Sequence, residues 1–156
     1  MKISKRKLAL RKVNLMSNRP CWDEVWMEFA HIIARRSYDP RHQVGAVVVT
    51  KDNTQVLAVG YNGNYAGGPN AAESTIPGES GMIHAEINAL LKMDYNNPKE
   101  KILYVTLSPC RMCAKAMINT GIVRVVYCKE YRDTSSIDLL RESGVTIEKF
   151  DTLANN

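Results

Sequence analysis

"KILYVTLSPCRMCAKAMINTGIVRVVYC" (residues 101–128) holds the strand–helix–strand unit that decides the fold. Its two ends, 101–107 and 122–128, are apolar and rich in β-branched residues, which is typical of buried strands. A helix is predicted to begin at about Cys110, because Pro109 suits a helix start, and Gly121 suits its C-terminal stop. This order favours parallel pairing of the two strands through a right-handed crossover.

The segments on either side extend the same alternation of helices and strands. The apolar spacing predicts helices at about 21–36, 84–94 and 135–144 and strands at 44–50, 55–62 and 145–150. The first two strands are predicted to form a hairpin. Residues 62–82 are rich in Gly, Pro, Asn and Ser, and a loop of this length inside a compact domain is usually functional or mobile. The order predicts an α/β fold, a three-layer α/β/α sandwich with a mixed five-stranded sheet.

Length and composition point to one globular domain. The chain has 156 residues, of which 45% are hydrophobic and 24% charged, as in ordinary globular proteins. No apolar run approaches the ~20 residues of a membrane span, and no secretory signal follows the basic N-terminus. We therefore expect a cytoplasmic protein with no membrane partner.

The net charge of +5 comes from the N-terminal end of the chain. Residues 1–22 carry seven basic residues and no acid, which leaves 14 of the 21 basic residues against all 16 acidic ones. We predict a basic tail at 1–18 and a single domain at 19–152. A basic arm can contact nucleic acid or an acidic partner, but a solvated leader is the simpler interpretation. The rest of the chain shows no cluster of arginines and aromatics, so nucleic acid is not a predicted partner.

Two cysteines three residues apart predict a metal site. Cys110 and Cys113 would share one face of the first helical turn, where the helix dipole favours thiolates, and together could bind zinc at ~2.3 Å. His84, at the start of the preceding helix, is the candidate third ligand. No fourth is evident, since His31 lies on the predicted apolar side of a helix and His42 in the loop before the first strand. Three ligands leave one position for water, which is typical of catalytic zinc.

Glu86 is the candidate proton carrier. It lies two residues after His84, and the two would point apart on an ideal helix, but the first residue of a helix is only half helical. We therefore expect Glu86 to reach the bound water rather than the metal. The alternative is that His84 caps the helix, Glu86 faces water, and the Cys-x-x-Cys pair is a redox or structural motif.

The pattern His-x-Glu followed by Pro-Cys-x-x-Cys resembles the signature of the zinc-dependent nucleobase deaminases. It stands here as His84-Ala85-Glu86 and Pro109-Cys110-Arg111-Met112-Cys113. Over about 22–150 the chain resembles the deoxycytidylate (dCMP) deaminase family, through "RHQVGAVVV" (41–49), "GYNG" (60–63), "HAEINAL" (84–90) and "YCKEYRDT" (127–134). The resemblance implies a cytidine deaminase-like fold, one catalytic zinc ion, and hydrolysis of dCMP to dUMP and ammonia. It also implies that Glu86 carries protons from water to N3 of the cytosine and to the departing amino group.

The resemblance further implies a set of substrate contacts. Backbone groups at Ala85 and Ser108 would hold the base, Val44 would pack on it, and Asn62 would bond the sugar 3′-hydroxyl. The residues implied to contact the 5′-phosphate are Arg41, Tyr131 and Arg132. Four of these residues have an ordinary alternative when taken singly. Val44 could be a core residue, Asn62-Gly63 could be a turn pair, and each arginine could be a solvated surface residue.

Assembly and regulation are implied by resemblance alone. The family is commonly hexameric and regulated by dCTP and dTTP, for which residues 62–82 are a candidate site. A second, structural zinc of some relatives is not expected, because this chain lacks the cysteines for it. Whether dCTP is also a substrate stays open. The main rival is a tRNA adenosine deaminase, which usually has Glu where this chain has Ser108. A non-catalytic zinc-binding module is a further alternative, in which Glu86 has no role.

Overall fold

The computed structural model describes residues 19–151 and contains the predicted order of elements. In chain order these are α1 (Trp22–Ala34), β1 (Gly45–Thr50), β2 (Val56–Tyr61), α2 (Ala85–Leu90), β3 (Lys101–Leu107), α3 (Arg111–Asn119), β4 (Ile122–Lys129), α4 (Ser135–Glu142) and β5 (Thr146–Lys149). The predicted basic tail at 1–18 lies outside the described residues, as does residue 152 of the predicted domain. No helix within 19–151 has the length and apolar character needed to cross a membrane.

The five strands form one mixed sheet in the order β2-β1-β3-β4-β5. Strand β1 is antiparallel to both of its neighbours, whereas β3, β4 and β5 run parallel to one another. The predicted hairpin and the predicted parallel pairing in the second half of the chain are therefore confirmed. Parallel pairing of β3 and β4 brings their carboxyl ends to the same edge of the sheet, where the segments that follow them can share a site.

Alternation along the strands divides the core into two layers, one on each face of the sheet. On one face, Val47, Tyr104 and Val126 pack against Met27 and Ala30 of α1. The other face packs against α2, α3 and α4, and its buried side chains include Val48, Leu103, Val125, Ala89, Met117 and Leu140. This arrangement confirms the predicted three-layer α/β/α sandwich.

A glycine sets how closely the start of α2 approaches the sheet. A Cβ atom at Gly60 of β2 would collide with the backbone oxygen of Ala85 and the backbone nitrogen of Ala89. Any larger residue at this position would push α2 outward, together with the residues at its N-terminus.

Helix α2 is shorter than the predicted 84–94. After Leu90 the chain tightens, because the backbone N–H groups of Lys92 and Met93 donate to carbonyls three residues earlier, at Ala89 and Leu90. That turn buries Met93 and leaves Leu91 73% exposed. The apolar spacing of both residues suggested helix, but only Met93 contributes to the core.

On the α1 face, charged groups join the helix to the sheet. The guanidinium of Arg124 donates to both carboxylate oxygens of Asp23, at 2.8 and 2.7 Å. It also donates from Nε and Nη2 to Glu148 of β5, at 2.8 and 2.6 Å. The hydroxyl of Tyr104 donates to Asp23 at 2.6 Å. We call these four residues the Arg124 cluster.

Candidate active site

His84, Cys110 and Cys113 lie together with the spacing of a tetrahedral metal site. Nδ1 of His84 is 3.5 Å from Sγ of Cys110 and 3.4 Å from Sγ of Cys113. In a tetrahedral site with Zn–S of ~2.3 Å and Zn–N of ~2.0 Å, nitrogen and sulfur ligands are separated by ~3.5 Å. Among residues 19–151, no other group of three or more His, Cys, Asp or Glu is arranged to hold a metal ion.

Two helix N-termini bring these ligands together. His84 and Cys110 are the N-cap residues of α2 and α3, with extended backbones at ψ 152° and 168°. The backbone N–H of Cys113, one turn into α3, donates to Sγ of Cys110 at 3.5 Å. The positive ends of both helix dipoles therefore point towards the thiols, and this stabilises thiolates.

The ionisation of the two thiols also fits a bound cation. A hydrogen bond from the Cys113 thiol, with a further one from His84, lowers the pKa of Cys110 to about 4. The Cys110 thiolate and burial in turn raise the pKa of Cys113, while the hydrogen bond to Cys110 raises that of His84. The two sulfurs thus share one negative charge, and a divalent cation between them would let both ionise. Two thiolates and an imidazole are a ligand set that suits zinc.

Glu86 lies beside this cluster, in the first turn of α2. Its side chain is buried, with only 4% of the residue exposed, and burial raises its pKa from 4.5 to about 7. It is not a member of the ligand group. Because His84 is an extended N-cap, both residues line the same cavity in spite of their two-residue spacing. A carboxyl group with a pKa near 7 can both accept and donate a proton at neutral pH.

A cavity of about 490 Å³ opens over the cluster, within the usual size range of small-molecule sites. All predicted site residues except Cys113 line it: Arg41, Val44, Asn62, His84, Ala85, Glu86, Ser108, Cys110, Tyr131 and Arg132. Cys113 is buried behind the cavity wall at 1% exposure. These residues come from five separate parts of the chain, which the fold brings to one end of the sheet.

The rim of the cavity carries two arginines with free guanidinium groups. Neither Arg41 nor Arg132 forms a side-chain hydrogen bond or ion pair with another residue in the part of the chain that the structure describes. The guanidinium carbon of Arg132 is 5.4 Å from the centre of the Tyr131 ring, in a cation–π contact. Two exposed cations at the mouth of one cavity favour an anionic ligand.

Asn62 fixes the loop that carries Arg41. Its Oδ1 accepts from the backbone N–H of Val44 at 2.8 Å, while its Nδ2 donates to the His42 carbonyl at 2.8 Å and to Asp39 at 3.2 Å. Asp39 in turn accepts from the backbone N–H of Arg41 at 2.8 Å. Both amide hydrogens of Asn62 are thus used within the protein, and Oδ1 alone retains capacity to accept from a ligand.

Ser108 fixes the loop that carries Arg132. The residue is buried at the carboxyl end of β3, and its Oγ accepts from the backbone N–H of Tyr131 at 2.7 Å. Its own backbone N–H donates to the Lys129 carbonyl at 2.8 Å. The segment that leads to Arg132 is therefore tied to the segment that leads to Cys110.

Comparison with known proteins assigns the family. A family model described as "Cytidine and deoxycytidylate deaminase zinc-binding region" matches residues 20–129. The chain belongs to the cytidine and deoxycytidylate deaminase family. The deoxycytidylate deaminase of Homo sapiens is 34% identical over 142 residues, which cover 83% of this chain and 79% of the human protein. That of Mycobacterium phage D29 is 41% identical over 128 residues, which cover 72% of this chain and 98% of the phage protein.

A solved structure of the same family has a closely similar fold. The dCMP deaminase of cyanophage S-TIM5, in complex with dCMP and dUMP, superposes with a TM-score of 0.76 at 35% identity. The match covers 86% of this chain and 100% of the phage chain. The cytidine deaminase-like fold and the membership of a zinc-binding deaminase family, both predicted from sequence, are confirmed.

Parts of this deaminase site were not predicted from sequence. Asp39 and Glu130 line the cavity, as does the segment 72–80 of the long loop. The composition of the loop indicated function without indicating which of its residues face the site. The Asp39-Pro40 pair is a turn signal, and it could have suggested that Asp39 organises the loop that follows.

One prediction about the histidines was wrong. His31 does not lie on the apolar side of α1 but is exposed, with its ring Nδ1 2.9 Å from the Met27 carbonyl oxygen. His42 lines the cavity but is not in the ligand group. Neither histidine belongs to the group of side chains within residues 19–151 that could hold a metal ion.

Proposed function

We propose that this protein catalyses the hydrolytic deamination of dCMP to dUMP and ammonia, with one zinc ion held by His84, Cys110 and Cys113. The observation that carries the proposal is the position of Glu86, a buried carboxyl group beside a His-Cys-Cys cluster that lines the same cavity. Relatives at 34% and 41% identity are deoxycytidylate deaminases, which supports dCMP as the substrate.

Zinc bound by His84, Cys110 and Cys113 would lower the pKa of a bound water molecule towards 7. Glu86 accepts a proton from the attacking water and delivers it to N3 of the cytosine. After the water oxygen has bonded to C4, Glu86 takes the remaining proton from that hydroxyl group and gives it to the 4-amino group. The C4–N bond then breaks, ammonia leaves, and the oxygen stays on C4 as the 4-oxo group of dUMP. The raised pKa of Glu86 suits both roles, because the group changes protonation state easily near pH 7.

The lining of the cavity supports a pyrimidine deoxynucleotide as ligand. We propose that the cytosine ring packs against Val44, which is buried and lines the cavity. The backbone groups of Ala85 and Ser108 would hold the 2-oxo and 4-amino groups of that ring. The oxygen of Asn62 is proposed to accept from the sugar 3′-hydroxyl. These contacts leave the 5′ substituent directed towards the rim.

The rim arginines support a phosphorylated substrate rather than a nucleoside. Arg41 and Arg132 have free guanidinium groups, and the planar fork of such a group binds phosphate oxygens in pairs. We propose that both arginines bind the 5′-phosphate together with Tyr131. Hexamer formation and control by dCTP or dTTP stay predictions from the resemblance. The cytoplasmic location and the domain at 19–152 stay predictions from composition and charge.

An ammonia-release assay tests the proposal. Zinc-loaded protein is assayed with dCMP, dCTP, CMP, deoxycytidine, adenosine and an anticodon stem-loop RNA. We expect dCMP to give the highest kcat/KM and deoxycytidine to give residual turnover only. Deamination of the stem-loop with dCMP inert would instead support the tRNA deaminase alternative, and absence of turnover on every substrate would support a non-catalytic zinc module.

A further inference from the structure

We propose that Gly78 is a positioning residue for Arg132, and that its missing side chain is what allows the guanidinium to lie at the rim of the cavity. The inference rests on the proposed phosphate-binding role of Arg132. A Cβ atom at Gly78 would lie 2.6 Å from Nη2 of Arg132 and 3.8 Å from its guanidinium carbon. The guanidinium therefore occupies the space in which any other residue at position 78 would place its side chain.

The backbone around Gly78 is fixed by its own hydrogen bonds. The N–H of Glu79 donates to the Ile76 carbonyl at 3.1 Å, which closes a turn across Pro77 and Gly78. With proline second and a positive φ of 85° at the third residue, this is the pattern of a type II turn. The N–H of Glu73 donates to the Ser80 carbonyl at 2.8 Å and so closes the loop that contains the turn.

The guanidinium of Arg132 also contacts an aromatic ring. Its carbon lies 5.4 Å from the centre of the Tyr131 ring, and the Tyr131 backbone is held by Ser108. Arg132 thus lies against both an aromatic ring and a fixed glycine, and its hydrogen-bond donors are not used on other residues within 19–151. A side chain held in place before the ligand arrives loses less conformational entropy on binding, which strengthens binding.

A side chain at position 78 should move Arg132 away from the rim, because the end of an arginine yields more easily than a closed turn. The variants are Gly78→Ala and Gly78→Asn. Asparagine tolerates a positive φ better than alanine does, so strain should weaken with asparagine, and an effect of equal size in both variants points to the added Cβ. The matched control is Gly144→Ala, since Gly144 has a φ of 82° and nothing within 4 Å of the Cβ position.

The test measures KM and kcat for dCMP and for deoxycytidine, with dUMP binding measured by calorimetry as a readout independent of turnover. We expect both Gly78 variants to raise KM for dCMP and the Kd for dUMP about tenfold, the loss expected for a weakened hydrogen bond to a charged group. The values for deoxycytidine and the kcat for dCMP should stay within about twofold. Gly144→Ala should leave all of these constants unchanged.

A double-mutant cycle separates this inference from the proposed function. In an Arg132→Ala background, Gly78→Ala should have no further effect on KM, because the group that it displaces is gone. Equal effects of Gly78→Ala with and without Arg132, or equal losses on dCMP and deoxycytidine, would overturn the inference. If Arg132→Ala leaves both KM for dCMP and dUMP binding unchanged, the proposed phosphate role itself fails. A raised KM in Arg132→Ala with no change in either Gly78 variant rejects the inference alone.

Discussion

Arg124 and Arg132 belong to neighbouring stretches of the chain and show two opposite uses of the same side chain. Arg124 lies within β4, where its guanidinium bonds Asp23 and Glu148 at 2.6 to 2.8 Å. Arg132 follows the end of β4 and has no hydrogen-bonding or ionic partner among residues 19–151. One arginine is committed to the fold, and the other has all of its donors available to a ligand.

The carboxyl groups of the Arg124 cluster and of the active site differ in the same way, since only those of the cluster have a cationic partner. In the Arg124 cluster, burial alone would raise the pKa of Asp23, but hydrogen bonds from Arg124 and Tyr104 outweigh it and hold that pKa below its usual value. At the active site, burial raises the pKa of Glu86, which forms no salt bridge within the described chain. Partnered charges stabilise the fold, whereas an unpartnered buried charge destabilises it and is kept where chemistry needs it.

The largest effect is expected on the catalytic rate when Glu86, the buried carboxylate without a salt bridge, is replaced. Glu86→Gln keeps the shape of the side chain but removes proton transfer, so kcat for dCMP should fall by about 10²–10⁴-fold. The check is an ammonia-release assay of the zinc-loaded variant, with zinc content measured alongside. Near-normal turnover with zinc bound would exclude Glu86 as the proton carrier.

The same substitution should stabilise the protein after zinc is removed with a chelator. Glu86 has a pKa of 4.5 when unfolded and about 7 when folded, so the folded state disfavours its ionised form. That penalty is absent below the unfolded pKa, grows as pH rises and is complete above the folded pKa. Glu86→Gln should therefore raise the free energy of unfolding by about 3 kcal/mol at pH 8 and have little effect at pH 4. Denaturant unfolding at both pH values measures the difference, and a loss of stability at pH 8 would contradict it.

A partnered arginine should show its role in stability and not in binding. Arg124→Ala leaves Asp23 and Glu148 without their cation, and we expect the free energy of unfolding to fall by about 2–4 kcal/mol. Removing one partner of a fully buried pair costs about 3–5 kcal/mol, and these side chains are partly exposed. Denaturant unfolding gives the value, and KM for dCMP should be unchanged in the folded fraction. If Arg124→Ala raised KM for dCMP without lowering the free energy of unfolding, Arg124 would act in binding and not in stability.

Arg132, the arginine without a partner, should show its role in binding and not in stability. Of the three variants Glu86→Gln, Arg124→Ala and Arg132→Ala, it should give the smallest change in free energy. Arg132→Ala should raise KM for dCMP by about 10–100-fold, because it removes hydrogen bonds to a charged phosphate. Its free energy of unfolding should change by less than about 0.5 kcal/mol, as is usual for exposed residues. Residual turnover of deoxycytidine, which has no phosphate, should be unaffected. Equal losses on both substrates would show that Arg132 acts on the whole site and not on the phosphate.

Local features of the sequence were enough to predict the fold and the three residues that the structure brings together as a candidate metal site. The alternation of strands and helices follows from periods of two and 3.6 residues, and each element can be read from a few neighbouring side chains. The ligand set was predicted because Cys110 and Cys113 lie one turn apart and His84 begins a helix. The C-terminal limit of α2 was predicted less well, since the tight turn after Leu90 keeps the apolar spacing of a helix.

The sequence by itself determined which residues could bind zinc and carry protons, because that chemistry resides in side-chain types at short spacings. The tertiary structure decided the neighbours of the charged residues: Arg124 bonds Asp23 from the other end of the chain, whereas Arg132 lies against Gly78 of the long loop. It also decided that Asp39 and the segment 72–80 join the site. Such neighbours depend on how distant segments pack, and no local period in the sequence records that packing.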